Sequence, residues 1–115
     1  MRPGQITTNE LETAILECIA KDHEALATFL GNLHVISREF TGVGSCTTFA
    51  DGKASPSLPN GYLSLDAQIE LPGLPFGLGA HLACEGGFPK FLEIFTYGTE
   101  LWDGNYIGFS LVKPA

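Results

Sequence analysis

Tyr62-Leu63-Ser64-Leu65-Asp66-Ala67-Gln68-Ile69-Glu70-Leu71 alternates apolar and polar residues almost without fault. Leu63, Leu65, Ala67, Ile69 and Leu71 fall on one side, and Ser64, Asp66, Gln68 and Glu70 on the other. A two-residue period marks a half-buried β-strand, because successive side chains leave an extended backbone on opposite faces. The stretch predicts a strand over 62–71 and sets the register of the two strands after it. Pro72-Gly73-Leu74-Pro75 reads as a four-residue turn into a strand over 76–85. Gly86-Gly87 then reads as a two-residue hairpin turn, where glycine tolerates positive φ, into a strand over 88–97.

Tight turns fix which residues stand opposite one another. Counting from Gly86-Gly87 pairs Leu82 with Phe91, Ala80 with Glu93, Leu78 with Phe95 and Phe76 with Tyr97. Counting from the Pro72–Pro75 turn pairs Ile69 with Leu78, Ala67 with Ala80 and Leu65 with Leu82. Both hairpins then share one apolar face, with Glu93 in its middle between Phe91 and Phe95. A carboxylate there must be paired, hydrated or protonated. Ala67 and Ala80 leave volume beside it, so Glu93, Ala67, Ala80 and Tyr97 form a candidate pocket. If Ile36 and Phe40 face inward, His34 and Arg38 join them, and Arg38 can clamp Glu93 with two parallel hydrogen bonds. The opposite parity leaves Arg38 in solvent. The structural alternatives for Glu93 are an ion pair that fixes strand order, or a bulge that turns the residue outward.

Upstream, the chain reads as helical over 6–31. Thr7 and Glu10 have capping-box spacing, and Ile6 and Leu11 have that of a hydrophobic staple. Leu11, Ile15, Cys18, Ile19, Leu26, Phe29 and Leu30 follow a helical stripe that stops at Gly31, a natural C-cap. Asp22 interrupts the stripe, so one helix or two abutting ones fit, with Glu10, Glu12, Glu17 and Glu24 on an acidic outer face. Residues 33–112 read as β-rich, with further strands over 33–40, 43–50 and 106–112 and a surface loop over 51–61. The expected fold is α+β: an N-terminal helical segment packed on a mostly antiparallel five- to six-stranded sheet, all in one domain over 1–115.

Composition narrows the function classes. Thirteen acidic against six basic residues give a net charge of −7, which repels phosphate backbones and anionic membranes and attracts basic proteins. No stretch approaches the roughly 20 apolar residues of a membrane span. Met1-Arg2-Pro3-Gly4 leads into polar residues, not into a secretory leader. Three widely spaced cysteines, Cys18, Cys46 and Cys84, fit reduced thiols in a cytoplasm and form no zinc-type pair. Three separated histidines make no metal motif, and no cofactor fingerprint is present: Thr41-Gly42-Val43-Gly44-Ser45 lacks the lysine and helix of a phosphate loop. Cys46, with His34 or His81 as base, is the default nucleophile, but a strand cysteine is usually a small buried hydrophobe. Gly77, Gly79 and Ala83 predict a flat outer strip beside Leu92 and Ile94, a contact surface through which the chain could self-associate. Trp102, with Glu100 and Asp103 in the acidic loop 98–104, is a candidate interface anchor; its structural alternative is a ring folded over the core edge.

Two segments resemble a group of small uncharacterised bacterial proteins. One is Arg38-Glu39-Phe40-Thr41-Gly42-Val43-Gly44-Ser45-Cys46-Thr47-Thr48-Phe49; the other is Leu92-Glu93-Ile94-Phe95-Thr96-Tyr97-Gly98 with Trp102. The resemblance brings no activity with it, but it places Arg38 and Glu93 in the two recognisable segments. The sequence therefore points to a small acidic cytoplasmic binding protein without catalysis, neutralising a basic protein partner as acidic immunity-type proteins do. The competing reading is a small-molecule or enzymatic pocket centred on Glu93 and Arg38.

Overall fold

The structure is a computed structural model that describes residues 7–113. It is α+β, with a short helical part packed on one face of an antiparallel sheet. Helix α1 spans Glu10–Ala20 and α2 spans Glu24–Ala27, so the chain breaks between them near Asp22. The helix starts later than Thr7. Asn9 is the N-cap, its side chain accepting the Glu12 N–H at 2.8 Å while Glu12 Oε1 accepts the Asn9 N–H at 2.9 Å. This box displaces the Thr7–Glu10 one because asparagine is among the strongest N-caps and Glu12 closes the reciprocal bond. The staple expected between Ile6 and Leu11 lies outside the described residues.

Seven strands follow: β1 (Val35–Phe40), β2 (Gly44–Phe49), β3 (Gly61–Ser64), β4 (Gln68–Leu71), β5 (Leu74–Glu85), β6 (Phe88–Thr96) and β7 (Ser110–Val112). Their order across the sheet is β1-β2-β6-β5-β4-β7, and β3 also pairs with β5. The run over 62–71 is thus two strands rather than one. Both lie along the 12-residue β5, β3 beside Leu82 and β4 beside Leu78. The turn into β5 is tighter than four residues, since Leu71 pairs directly with Leu74 across Pro72-Gly73, and Gly73 takes φ +86°.

Register decides everything about the site. Glu85 pairs with Phe88 and Cys84 with Pro89, but Ala83 then pairs with Phe91. Lys90 is extra, a β-bulge that moves every later residue of β6 by one and so to the opposite face. Leu82 consequently meets Leu92 and Ala80 meets Ile94, while Glu93 pairs with His81. The inner row Thr47–Leu92–Leu82–Leu63 lies under the helices, and Leu11, Ile15, Ile19 and Leu26 close the core above it. Leu92 and Ile94, expected on an outer strip, are therefore core residues. No helix of the described residues is long and apolar enough to cross a membrane.

A second bulge, between Val35 and Ser37, sets the parity of β1. It leaves Ile36 exposed and turns Arg38 toward the helices, opposite Thr47. There Arg38 meets Glu12, which is buried to 1% exposure and not on the acidic outer face. Arg38 Nε donates to Glu12 Oε2 at 2.8 Å and Nη2 to Oε1 at 2.7 Å, and the Thr47 hydroxyl donates to Oε2 at 2.6 Å. With the Asn9 N–H, these bonds tie the start of α1 to β1 and β2. Burial pushes the Glu12 carboxyl up, but the hydrogen bonds from Arg38, Thr47 and Asn9 outweigh it and hold it below its ordinary value.

Candidate functional site on the open sheet face

The face turned away from the helices carries a row of rings. Tyr62 comes from β3, His81 from β5, Phe91 and Phe95 from β6, and Tyr97 lies just past its end. Strand geometry alone puts them together, because alternate residues of paired strands share a face. The Tyr62 and His81 rings are 4.7 Å apart, His81 and Phe95 5.5 Å, Phe95 and Tyr97 5.7 Å, and Tyr62 and Phe91 6.3 Å. These separations are those of edge-on and tilted aromatic contacts. Phe95 and Tyr97 can lie down on the sheet because Gly79 is beneath them. A Cβ at Gly79 would come within 2.5 Å of Tyr97 Oη and 2.6 Å of Phe95 Cε1.

Gly79→Ala is accordingly expected to lift both rings, which can swing outward, at a stability cost under about 1 kcal/mol. Near-ultraviolet circular dichroism and the Phe95 ring resonances should change while the melting temperature stays within a few degrees. Unchanged ring resonances would contradict the packing.

Polar groups interrupt the strip in one cross-strand row, Glu39–Cys46–Glu93–His81–Ser64. Glu93 Oε1 lies 3.0 Å from His81 Nε2, and both side chains are partly open to solvent. Burial first, then the Glu93 and Glu39 carboxylates, push the Cys46 thiol up, which is the reverse of an activated nucleophile. Burial alone raises Cys84 to about 11. Among the described residues no group of three His, Cys, Asp or Glu side chains is placed to hold a metal ion.

The residues expected to form a pocket are dispersed. Arg38 and Glu93 lie on opposite faces of the sheet, Arg38 with Glu12 and Glu93 with His81. Ala80 is a core residue against Ile94. Ala67 is half-buried in the segment between β3 and β4, and His34 is exposed ahead of β1. Only Glu93 and Tyr97 remain together on the open face. The physical reason is the pair of bulges: each changes the parity of one strand, and the two carry Arg38 inward and Glu93 outward.

The Trp102 loop likewise serves the fold. Trp102 is 6% exposed. Its indole N–H donates to the Asn105 carbonyl at 3.0 Å, and its ring meets the Phe40 ring edge-on. Glu100 accepts the Phe76 N–H, and Asp103 accepts the Asn105 N–H at 2.9 Å. This is the ring folded over the core edge rather than an exposed anchor.

Two residues escaped sequence reasoning although signals for them exist. Pro89 has no N–H to give a ladder, which marks irregular pairing right after the Gly86-Gly87 turn. Asn9-x-x-Glu12 is as good a capping box as the one two residues earlier, and it identifies Glu12 as fixed.

No family model, curated protein or solved structure matches this chain.

Proposed function

We propose that this is a binding protein without catalysis, whose open sheet face docks a basic segment of a partner protein. The observation that carries the reading is the uncovered ring row, Tyr62, Phe91, Phe95 and Tyr97, on a chain of net charge −7. Contiguous apolar patches are kept small on monomeric surfaces, and aromatic side chains are enriched where partners dock. Glu39 and Glu93 share the same face, so a cationic side chain arriving there meets carboxylates next to ring faces. Burial and the neighbouring Glu93 carboxylate push the Cys46 thiol up, against thiolate formation, and Arg38 is engaged by Glu12 on the other side. Neutralising a basic partner, in the manner of acidic immunity-type proteins, is the role that fits these features.

The test is a two-dimensional NMR titration with an oligo-arginine peptide, repeated at about 0.5 M salt, where exposed charges are strongly screened. Saturable shifts centred on Tyr62, His81, Glu93 and Phe95, lost at high salt, are expected. Shifts centred instead on the exposed acids of α1, Glu10 and Glu17, or a response that never saturates, overturn the reading.

A further inference from the structure

We propose that a cleft at one end of the open face takes one arginine side chain of that basic partner, with Lys90 as the internal cation it displaces. The inference rests on the reading above and names its anchor point. The cleft measures about 630 Å³ and lies between the β1 bulge and β3. Ile36, Tyr62 and Phe91 supply apolar and aromatic lining, and Asp51, Glu85 and Lys90 supply the charges.

Three observations converge on a guanidinium. The first is uncovered ring surface: Tyr62 is 61% exposed and stands at 73° to Phe91, so the cleft offers ring surface in two orientations. Ile36, pushed out by the bulge to 62% exposure, adds an aliphatic wall for the methylenes of a long side chain. The second is negative charge at the same place. Glu85 is exposed and makes no ion pair among the described residues, while Asp51 holds only Lys90. The third is that the chain already places a cation here. Lys90 Nζ sits 2.9 Å from Asp51 Oδ1, a carboxylate of the cleft, and 5.4 Å from the centre of the Phe88 ring, which lies outside the cleft lining.

Lys90 is the extra residue of the β6 bulge, and its pair with Asp51 is exposed, so separating them costs little. Arginine suits the cleft better than lysine because its planar guanidinium stacks on a ring while donating two parallel hydrogen bonds to a carboxylate. Displaced, the flexible Lys90 ammonium returns to water.

The experiment titrates the protein with N-acetyl-arginine amide and, separately, N-acetyl-lysine amide, following the Tyr62 ring and the Asp51 and Phe91 amides by NMR. Arginine is expected to saturate at about tenfold lower concentration than lysine. Tyr62→Ala should weaken arginine about fivefold, Tyr62→Phe should restore it, and Lys90→Ala should tighten it about threefold by freeing Asp51. Equal response to the two amino acids, or indifference to Tyr62→Ala, overturns the proposal. The wider reading is separable. If the oligo-arginine peptide shifts Glu93 and Phe95 on the open face but ignores Asp51→Asn and Lys90→Ala, the cleft falls and the face stands. If the amide fills the cleft while the peptide does not bind, the face reading falls alone.

Discussion

Glu12→Gln is expected to destabilise the protein by about 3 kcal/mol, since removing one member of a buried ion pair strands the other. Glu12 is the acceptor for Arg38, Thr47 and the Asn9 N–H together. Glutamine keeps the shape but replaces one acceptor oxygen with a donor facing donors, and it leaves the Arg38 charge unbalanced. Urea unfolding near neutral pH would measure the loss as a lower midpoint at unchanged slope. The pH dependence gives a second handle with a fixed sign. The folded carboxyl lies below its ordinary value of 4.5. Its contribution is therefore complete above that value and disappears as pH falls through the lower, folded pKa. The gap between wild type and Glu12→Gln should narrow on acidification below pH 4.5. A loss under about 1 kcal/mol, or a gap that stays constant into strong acid, would show that Glu12 does not bind α1 to the sheet.

Leu92→Ala should cost about 3 kcal/mol, whereas Glu93→Ala, one residue on, should cost less than about 1 kcal/mol. Leu92 is fully buried between Leu82 and Thr47, and its truncation leaves a cavity under the helices. Glu93 is half-exposed and touches His81 on the open face. The contrast is a direct assay of the β6 bulge, because the unbulged register predicts the reverse order. Denaturant midpoints of the two variants decide between the registers: equal losses, or a larger one at Glu93, would place the bulge wrongly.

The open face arises from the same register. Had β6 paired without Lys90 as an extra residue, Phe91 and Phe95 would lie under α1 and the strip would be aliphatic. One inserted residue converts a buried aromatic layer into an exposed one flanked by carboxylates, and that exposed layer is the one proposed to dock a basic segment. The inner face meanwhile gains Leu92 and Ile94, which pack beneath the helices as well as the rings would have done. Both parities of β6 are apolar, so hydrophobicity alone does not choose between them.

The amino-acid sequence by itself determined the fold class and the order of helix then antiparallel strands, but not the division of 62–71 into two strands. The alternation from Tyr62 to Leu71, the stripe from Leu11 to Ile19 and the Gly86-Gly87 turn are short-range signals, and each acts within one or two turns of chain. It also fixed the inner parity of β5 from Leu78 to Leu82, but Phe76, expected on the same face, is 65% exposed before the positive-φ Gly77. Only the tertiary structure decided the faces of β1 and β6, the burial of Glu12 and the separation of Arg38 from Glu93. A bulge costs little locally, yet it exchanges every later side chain between core and solvent, so its position is set by the sum of distant contacts. Here those contacts are Leu92 against Leu82 and Arg38 against Glu12, pairs 10 and 26 residues apart in the chain, which no local pattern can weigh.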